Sequence, residues 1–169
     1  MKPLIWLALL RFMILSPTNR WPLKNSAMFP PNPDFSITIL SQTQLLKMVV
    51  ELTRHITTLF NFSAPEAQKI SLAIDEAVTN VIKHSYSNNS DQKITIEYFL
   101  APGGVKIRIF YQGLPPEIID EEVNIGKMIK KKKKGGLGVK LMKTIMDSVE
   151  YKTINGKNCC EMIKWQKTI

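Results

Sequence analysis

Between Ala64 and Tyr86 the chain reads APEAQKISLAIDEAVTNVIKHSY, and no other run constrains the fold as much. Ile70, Ala73, Ile74, Ala77, Val78, Val81 and Ile82 recur at steps of three and four, which buries one face of a helix. At about 100° per residue, Lys69, Glu76, Asn80 and Lys83 form a second stripe beside that face. Ala73 and Ala77 lie between the stripes and admit a close neighbour. Glu76 and Asn80 stand at i and i+4, so their side chains are neighbours. Ahead of the run, Ser63 and Glu66 make a capping-box pattern with Pro65 in the first turn. The polar stripe has two readings. It is the solvated edge of a helix with incidental Glu–Lys spacing, or it is a set of hard oxygen ligands suited to Mg2+ with a carboxylate able to act as a general base.

The flanking segments set the architecture. FSITIL, from Phe35, alternates and is rich in β-branched residues, so it reads as a strand. Ser41 stands where a helix cap is expected, before Leu45, Met48, Val49, Leu52, Ile56, Leu59 and Phe60 at helical spacing. KITIEYFL and VKIRIFY alternate around APGG as a hairpin, and LGVKLMKTIMDSV reads as a helix. EYKTI and NCCEMIKW flank an Asn155-Gly156 turn and make a second hairpin. Grouped helices and hairpins predict an α+β fold, with helices on one face of a mixed, mostly antiparallel sheet.

The later helix is led by Gly135, Gly136 and Gly138, just after the lysine run Lys130–Lys134. Glycines allow close backbone approach, and a helix N-terminus offers free N–H groups to an anion. Either feature alone is weak, because glycines make plain turns and lysine runs are often solvated loops. Their value lies in following an acid-and-amide helix.

At 169 residues the chain suits one domain plus a tail, and a 44% hydrophobic content supplies a core. A formal charge of +9 points to an acidic partner without naming one. The two cysteines, Cys159 and Cys160, are adjacent, which disfavours pairing and suits a reducing cytoplasm. They alternate on a strand, so one is expected in the core and the other on the surface. Residues 1–34 are expected outside the domain. MKPLIWLALLRFMIL is too short to span a bilayer, which takes about 20 apolar residues. Three readings stand for it: a poorly ordered extension, a membrane-touching segment (contact by residues 1–15, not favoured), or translation that truly starts at Met28. FPPNPDF then acts as a linker into a domain covering residues 35–169.

DEAVTNVIKHSY resembles the N-box of the GHKL ATPases, the superfamily of gyrase-type, chaperone and histidine-kinase ATPase domains. GGLGVKLMKTIMDSVEY resembles the second glycine box of one branch, the bacterial anti-sigma-factor serine/threonine kinases. The resemblance runs from Phe35 to Lys167 and implies a two-layer α/β sandwich of the GHKL type that binds ATP and Mg2+. It implies that Asn80 coordinates Mg2+, that Glu76 is the general base, and that Gly136, Leu137 and Gly138 contact the phosphates. Lys83, Gly113 and Gly135 join the nucleotide-binding set, and residues 115–134 would be the lid. It further implies two partners, a sigma factor held inactive and an anti-sigma-factor antagonist phosphorylated on serine, and often a homodimer. One position departs from the pattern: the first glycine box normally reads Asp-x-Gly, with the aspartate accepting from the adenine amino group, and here the stretch is Tyr111-Gln112-Gly113. Tyr111 is then a neutral acceptor or an ordinary strand aromatic.

Three functions follow for comparison. The first is a regulator with serine-kinase activity. The second is a catalytically degenerate binding module on the same fold. The third, a non-specific nucleic-acid binder, rests only on charge, without interleaved aromatics. A histidine-kinase fragment fits less well: His55 lies on the first helix, with no dimerisation helix pair before it. His84 and Tyr86 are read as a packing pair at the helix end.

Overall fold

FSITIL becomes strand β1 (Phe35–Leu40) in the computed structural model, which describes residues 26–113 and 136–166. Helices α1 (Thr43–Leu59) and α2 (Ala64–Asn80) follow, and a π-helical turn (Val81–Ser85) continues α2. Then come β2 (Lys93–Ala101), β3 (Gly104–Tyr111), α3 (Gly136–Ile145), β4 (Ser148–Ile154) and β5 (Lys157–Trp165). The sheet order is β1-β2-β3-β5-β4. Expected to be mixed and mostly antiparallel, it is antiparallel in each of its four pairings. Residues 1–25, the expected lid (115–134), the lysine run and Gly135 lie outside the described residues.

The helices share one face of the sheet. Ile94, Ile96, Tyr98, Ile107, Ile109, Cys160 and Met162 point into that layer and meet Val49, Ile70, Ile74, Val78 and Met142. The period-2 pattern of the strands and the 3.6-period pattern of the helices therefore serve one core.

Local chemistry departs from the sequence expectations at several points. Ser41 does not cap α1: Gln42 is the N-cap residue and makes no side-chain bond. The Ser41 hydroxyl instead donates to the Asn89 carbonyl and accepts from the Gln92 amide at 3.2 Å, tying the 87–92 loop to the end of β1. The buried face of α1 includes Thr53 and Thr57, while Met48 and Leu59 are 62% and 78% exposed. The threonines are tolerated because their hydroxyls are bonded: Thr53 to the Val49 carbonyl and Tyr98 Oη, Thr57 to the Thr53 carbonyl. Helix α3 ends at Ile145 rather than near Val149, because Asp147 turns to accept from the Trp165 amide and Lys164 Nζ. Cys159 and Cys160 are both buried and free, on opposite faces of β5. Burial pushes their thiols up, to about 11 and about 12, so both stay protonated at neutral pH.

The outer face of the sheet carries a small second core. Phe99, Ala101, Ile163 and Trp165 lie there, and Phe29 from the segment before β1 packs over them. Asp34 pins that segment: its amide donates to the Tyr98 carbonyl, and its carboxylate accepts from the Leu100 amide at 2.8 Å.

Candidate functional site

Helix α2 starts as its sequence requires. Ser63 accepts from the Glu66 amide and Glu66 returns a bond to the Ser63 amide, with proline in the first turn. This fixes the rotation of the helix, so the buried stripe Ile70, Ala73, Ile74, Ala77 and Val78 faces the core. Glu76 and Asn80 fall at the edge, both half-buried. Immediately after Asn80 the helix widens into the π-turn, a feature often found at functional sites. Nothing in the residue spacing marks it.

Helix α3 packs against α2. An ideal Cβ built on Gly138 would overlap the Glu76 side chain, meeting Oε1 and lying 2.8 Å from Cδ and 3.1 Å from Cγ. The acid of the first motif therefore touches the glycine of the second. Gly136, Leu137 and Gly138 form the first turn of α3, and Leu137 is 78% exposed. Lys83 and His84 are exposed on the π-turn.

The Asn80 amide nitrogen is buried and has no hydrogen-bond partner, and among the described residues no other buried side-chain N or O atom is in that position. A buried amide of this kind carries a desolvation penalty unless something completes it. Its terminal N and O exchange places by a half-turn, so it can equally present its oxygen. Among the described residues no group of three or more His, Cys, Asp or Glu is placed to hold a metal ion. Mg2+ does not need one, since it is commonly held by one or two protein oxygens together with substrate phosphates and water. The amide of Asn80 beside the carboxylate of Glu76 fits that ion.

The end of β3 closes another side of the region. Gly113 has φ +107°, and a Cβ there would sit 2.5 Å from the Ser85 carbonyl oxygen. Glycine at 113 is thus demanded by the backbone and by contact with the π-turn. Tyr86, at the end of that turn, donates to the Lys93 carbonyl and accepts from the Gln112 amide, both at 2.8 Å. Tyr86 is structural, as the sequence suggests, whereas His84, expected to pack with it, is exposed. Tyr111 is buried, edge-on to Tyr86 with ring centres 6.5 Å apart. Burial, with Cys160 close by, raises the Tyr111 phenol well above its usual value despite the Ser85 side chain as polar partner. It is neutral at any physiological pH. Its burial among Ser85, Tyr86 and Cys160 is that of a strand aromatic in a core.

The profile of the histidine kinase-like ATPase domain matches residues 40–164. The serine-protein kinase RsbW of Listeria monocytogenes serovar 1/2a is 30% identical over 94 residues, which is 53% of this chain and 60% of the relative. RsbW of Bacillus licheniformis is 24% identical over 106 residues, 60% of this chain and 66% of the relative. The chain thus spans about three fifths of the length of the curated relatives it matches. Among solved structures, that of the RsbU and RsbW domains of Rv1364c from Mycobacterium tuberculosis aligns with a TM-score of 0.54 and 16% identity. The alignment covers 80% of this chain and 32% of that one, and shows a common fold. Among the described residues no helix is long and apolar enough to cross a membrane.

Proposed function

The chain belongs to the histidine kinase-like ATPase domain family, and from that premise we propose that it is an anti-sigma regulator that uses Mg·ATP to phosphorylate a serine of an anti-sigma-factor antagonist. Similarity to the RsbW serine-protein kinases supports the reading. The observation that carries it is the contact between Glu76 of α2 and Gly138 of α3, with Asn80 one turn further along α2. Residues of two motifs 62 positions apart (138 − 76) are thus in contact, which supports the reading.

In this reading Asn80 holds Mg2+ and the first turn of α3 receives the phosphates, with Gly136, Leu137 and Gly138 supplying N–H groups and Lys83 positive charge. Gly113 closes the site beside the π-turn, and Gly135 precedes the cradle. When bound, Mg2+ neutralises charge on the phosphate oxygens. Glu76 takes the proton of the antagonist's serine hydroxyl. The serine oxygen bonds the γ-phosphorus, the bond from that phosphorus to the bridging oxygen breaks, and ADP leaves. A sigma factor is the second partner, the regulator works as a homodimer, and its setting is the cytoplasm, in keeping with two free cysteines.

Isothermal calorimetry of the full chain with Mg·ATP at millimolar nucleotide tests the pocket. Binding heat and a raised melting temperature are expected; their absence would remove the proposal. Glu76→Gln should retain nucleotide binding while lowering transfer by at least about 100-fold, the scale of general-base catalysis. Full transfer in that variant would take the base role from Glu76. Tyr111 favours a second reading, a binding module without catalysis. A buried adenine amino group lacking its acceptor costs about 1–3 kcal/mol, and the observed packing of Tyr111 leaves its neutral phenol as a poor substitute. A chain that binds its protein partners yet shows no response to Mg·ATP would establish it.

A further inference from the structure

Why is residue 138 a glycine? Its backbone does not ask for one: it lies inside α3, and its φ is not among the positive values found at Gly103, Gly113 and Gly156. In a helix, alanine is the better residue, because glycine costs more backbone entropy. What a side chain would meet is Glu76. Carbon atoms in ordinary contact stand about 3.5–4.0 Å apart, whereas a Cβ on Gly138 would be 2.8 Å from Glu76 Cδ and 3.1 Å from Cγ and would overlap Oε1. Those three atoms are the nearest neighbours of that position, and all belong to the outer arm of the acid.

We infer that Gly138 is the seat of the Glu76 carboxylate: a positioning residue whose missing side chain fixes where the acid lies. Its catalytic consequence rests on the kinase reading above; the seat itself does not. The arm is the free end of a flexible side chain, so a methyl group at 138 displaces it without breaking the fold. The helix gains propensity, and the acid loses its place. This differs from a glycine needed for phosphate approach, which would act on nucleotide affinity.

The test uses the full chain as wild type, Gly138→Ala, Glu76→Asp and the double variant. In the nucleotide-free wild type, nuclear Overhauser spectroscopy should show a cross-peak between the Glu76 γ-methylene and the Gly138 Hα. In Gly138→Ala the Glu76 γ-methylene resonance should shift and the melting temperature should hold or rise. Mg·ATP affinity should fall far less than turnover, because the backbone N–H at 138 remains, while single-turnover hydrolysis of Mg·ATP, with water in place of the serine hydroxyl, falls about 100-fold, the scale on which small misplacements act. Glu76→Asp shortens the arm by the methylene that the new methyl displaces, so the double variant should exceed Gly138→Ala at least about tenfold, a coupling of neighbours rather than a sum. The inference is overturned if the wild-type cross-peak is missing, if Gly138→Ala weakens Mg·ATP binding as much as it slows turnover, or if the double variant is no better than the single. Absence of Mg·ATP binding in the wild type removes the kinase reading instead. In that event the cross-peak and the Glu76 resonance shift in Gly138→Ala decide the seat alone: present they uphold it, absent they overturn it.

Discussion

Glu161 is a buried acid on the outer face, where Arg108 Nε and Lys152 Nζ each donate to it at 2.6 Å. Burial by itself would raise its carboxyl; the hydrogen bonds from Lys152 and Arg108 outweigh that and hold it below the usual range. The folded value is therefore lower than the unfolded one. The stabilisation is present at neutral pH and is lost as the pH falls through the folded value. Glu161→Gln should cost about 1–3 kcal/mol at pH 7, measured by urea unfolding, and its deficit should shrink as both proteins are taken into acid. A deficit that does not change with pH would mean the charge is irrelevant. Residue roles of this sort were legible only where local spacing carries them. The i, i+4 spacing of Glu76 and Asn80 showed that they are neighbours on α2, and no more than that. No such spacing marks Glu161, because its partners lie on two other strands. One of Cys159 and Cys160 was expected on the surface, yet both are buried, since alternation says which face a residue takes but not how well that face is covered.

At the scale of elements, periodicity located β1 to β5 and α1 to α3, and the Ser63–Glu66 box marked the start of α2. The end of α2 was not legible. Val81 and Ile82 continue the apolar stripe, so nothing in the spacing marks the change to a π-turn. What holds that end is long-range: the Tyr86 hydroxyl joins the turn to β2 through the Lys93 carbonyl and to the end of β3 through the Gln112 amide. Tyr86→Phe leaves both backbone groups without this partner, an expected loss of about 1–3 kcal/mol. Hydrogen exchange localises the effect: the Gln112 amide should exchange faster while amides in the centre of β3 keep their protection up to the lowered global limit. If Gln112 is unaffected, Tyr86 is packing alone. The limit of α3 has a similar origin. MDSV continues an apolar pattern, but Asp147 is drawn to the far end of β5, and that contact ends the helix.

At the scale of the whole molecule, the sequence distinguishes inner and outer faces of the sheet but says little about what covers the outer one. Residues 1–34 read as an extension with a proline-rich linker, and the part described, residues 26–34, lies against the domain. Phe29 is 6% exposed, its ring centre 5.0 Å from that of Trp165, and Lys106 Nζ stands 5.1 Å from the Phe29 ring and 4.2 Å from the Phe99 ring. Burial, the nearby Arg108 and Lys152 charges, and an opposing pull from Glu161 leave the Lys106 ammonium below its ordinary value. The two aromatic faces offset part of the cost of keeping it charged there. No periodicity reports this arrangement, because its members are separated by 70 and 136 positions (99 − 29 and 165 − 29). Phe29→Ala would open the small outer core to water, with an expected loss of about 3–5 kcal/mol. For a chain of this size that corresponds to a fall of about 6–20 °C in melting temperature. Phe29→Leu should recover more than half of it by refilling the volume, though it lacks the ring face toward Lys106. Equal melting temperatures for wild type and Phe29→Ala would show that the segment rests on the sheet without contributing, and the domain would then begin at β1. A large loss places the boundary before Phe29, which makes the segment part of the folding unit and gives the sheet a second packed face. The helices that carry the proposed nucleotide site would then stand on a sheet held from both sides.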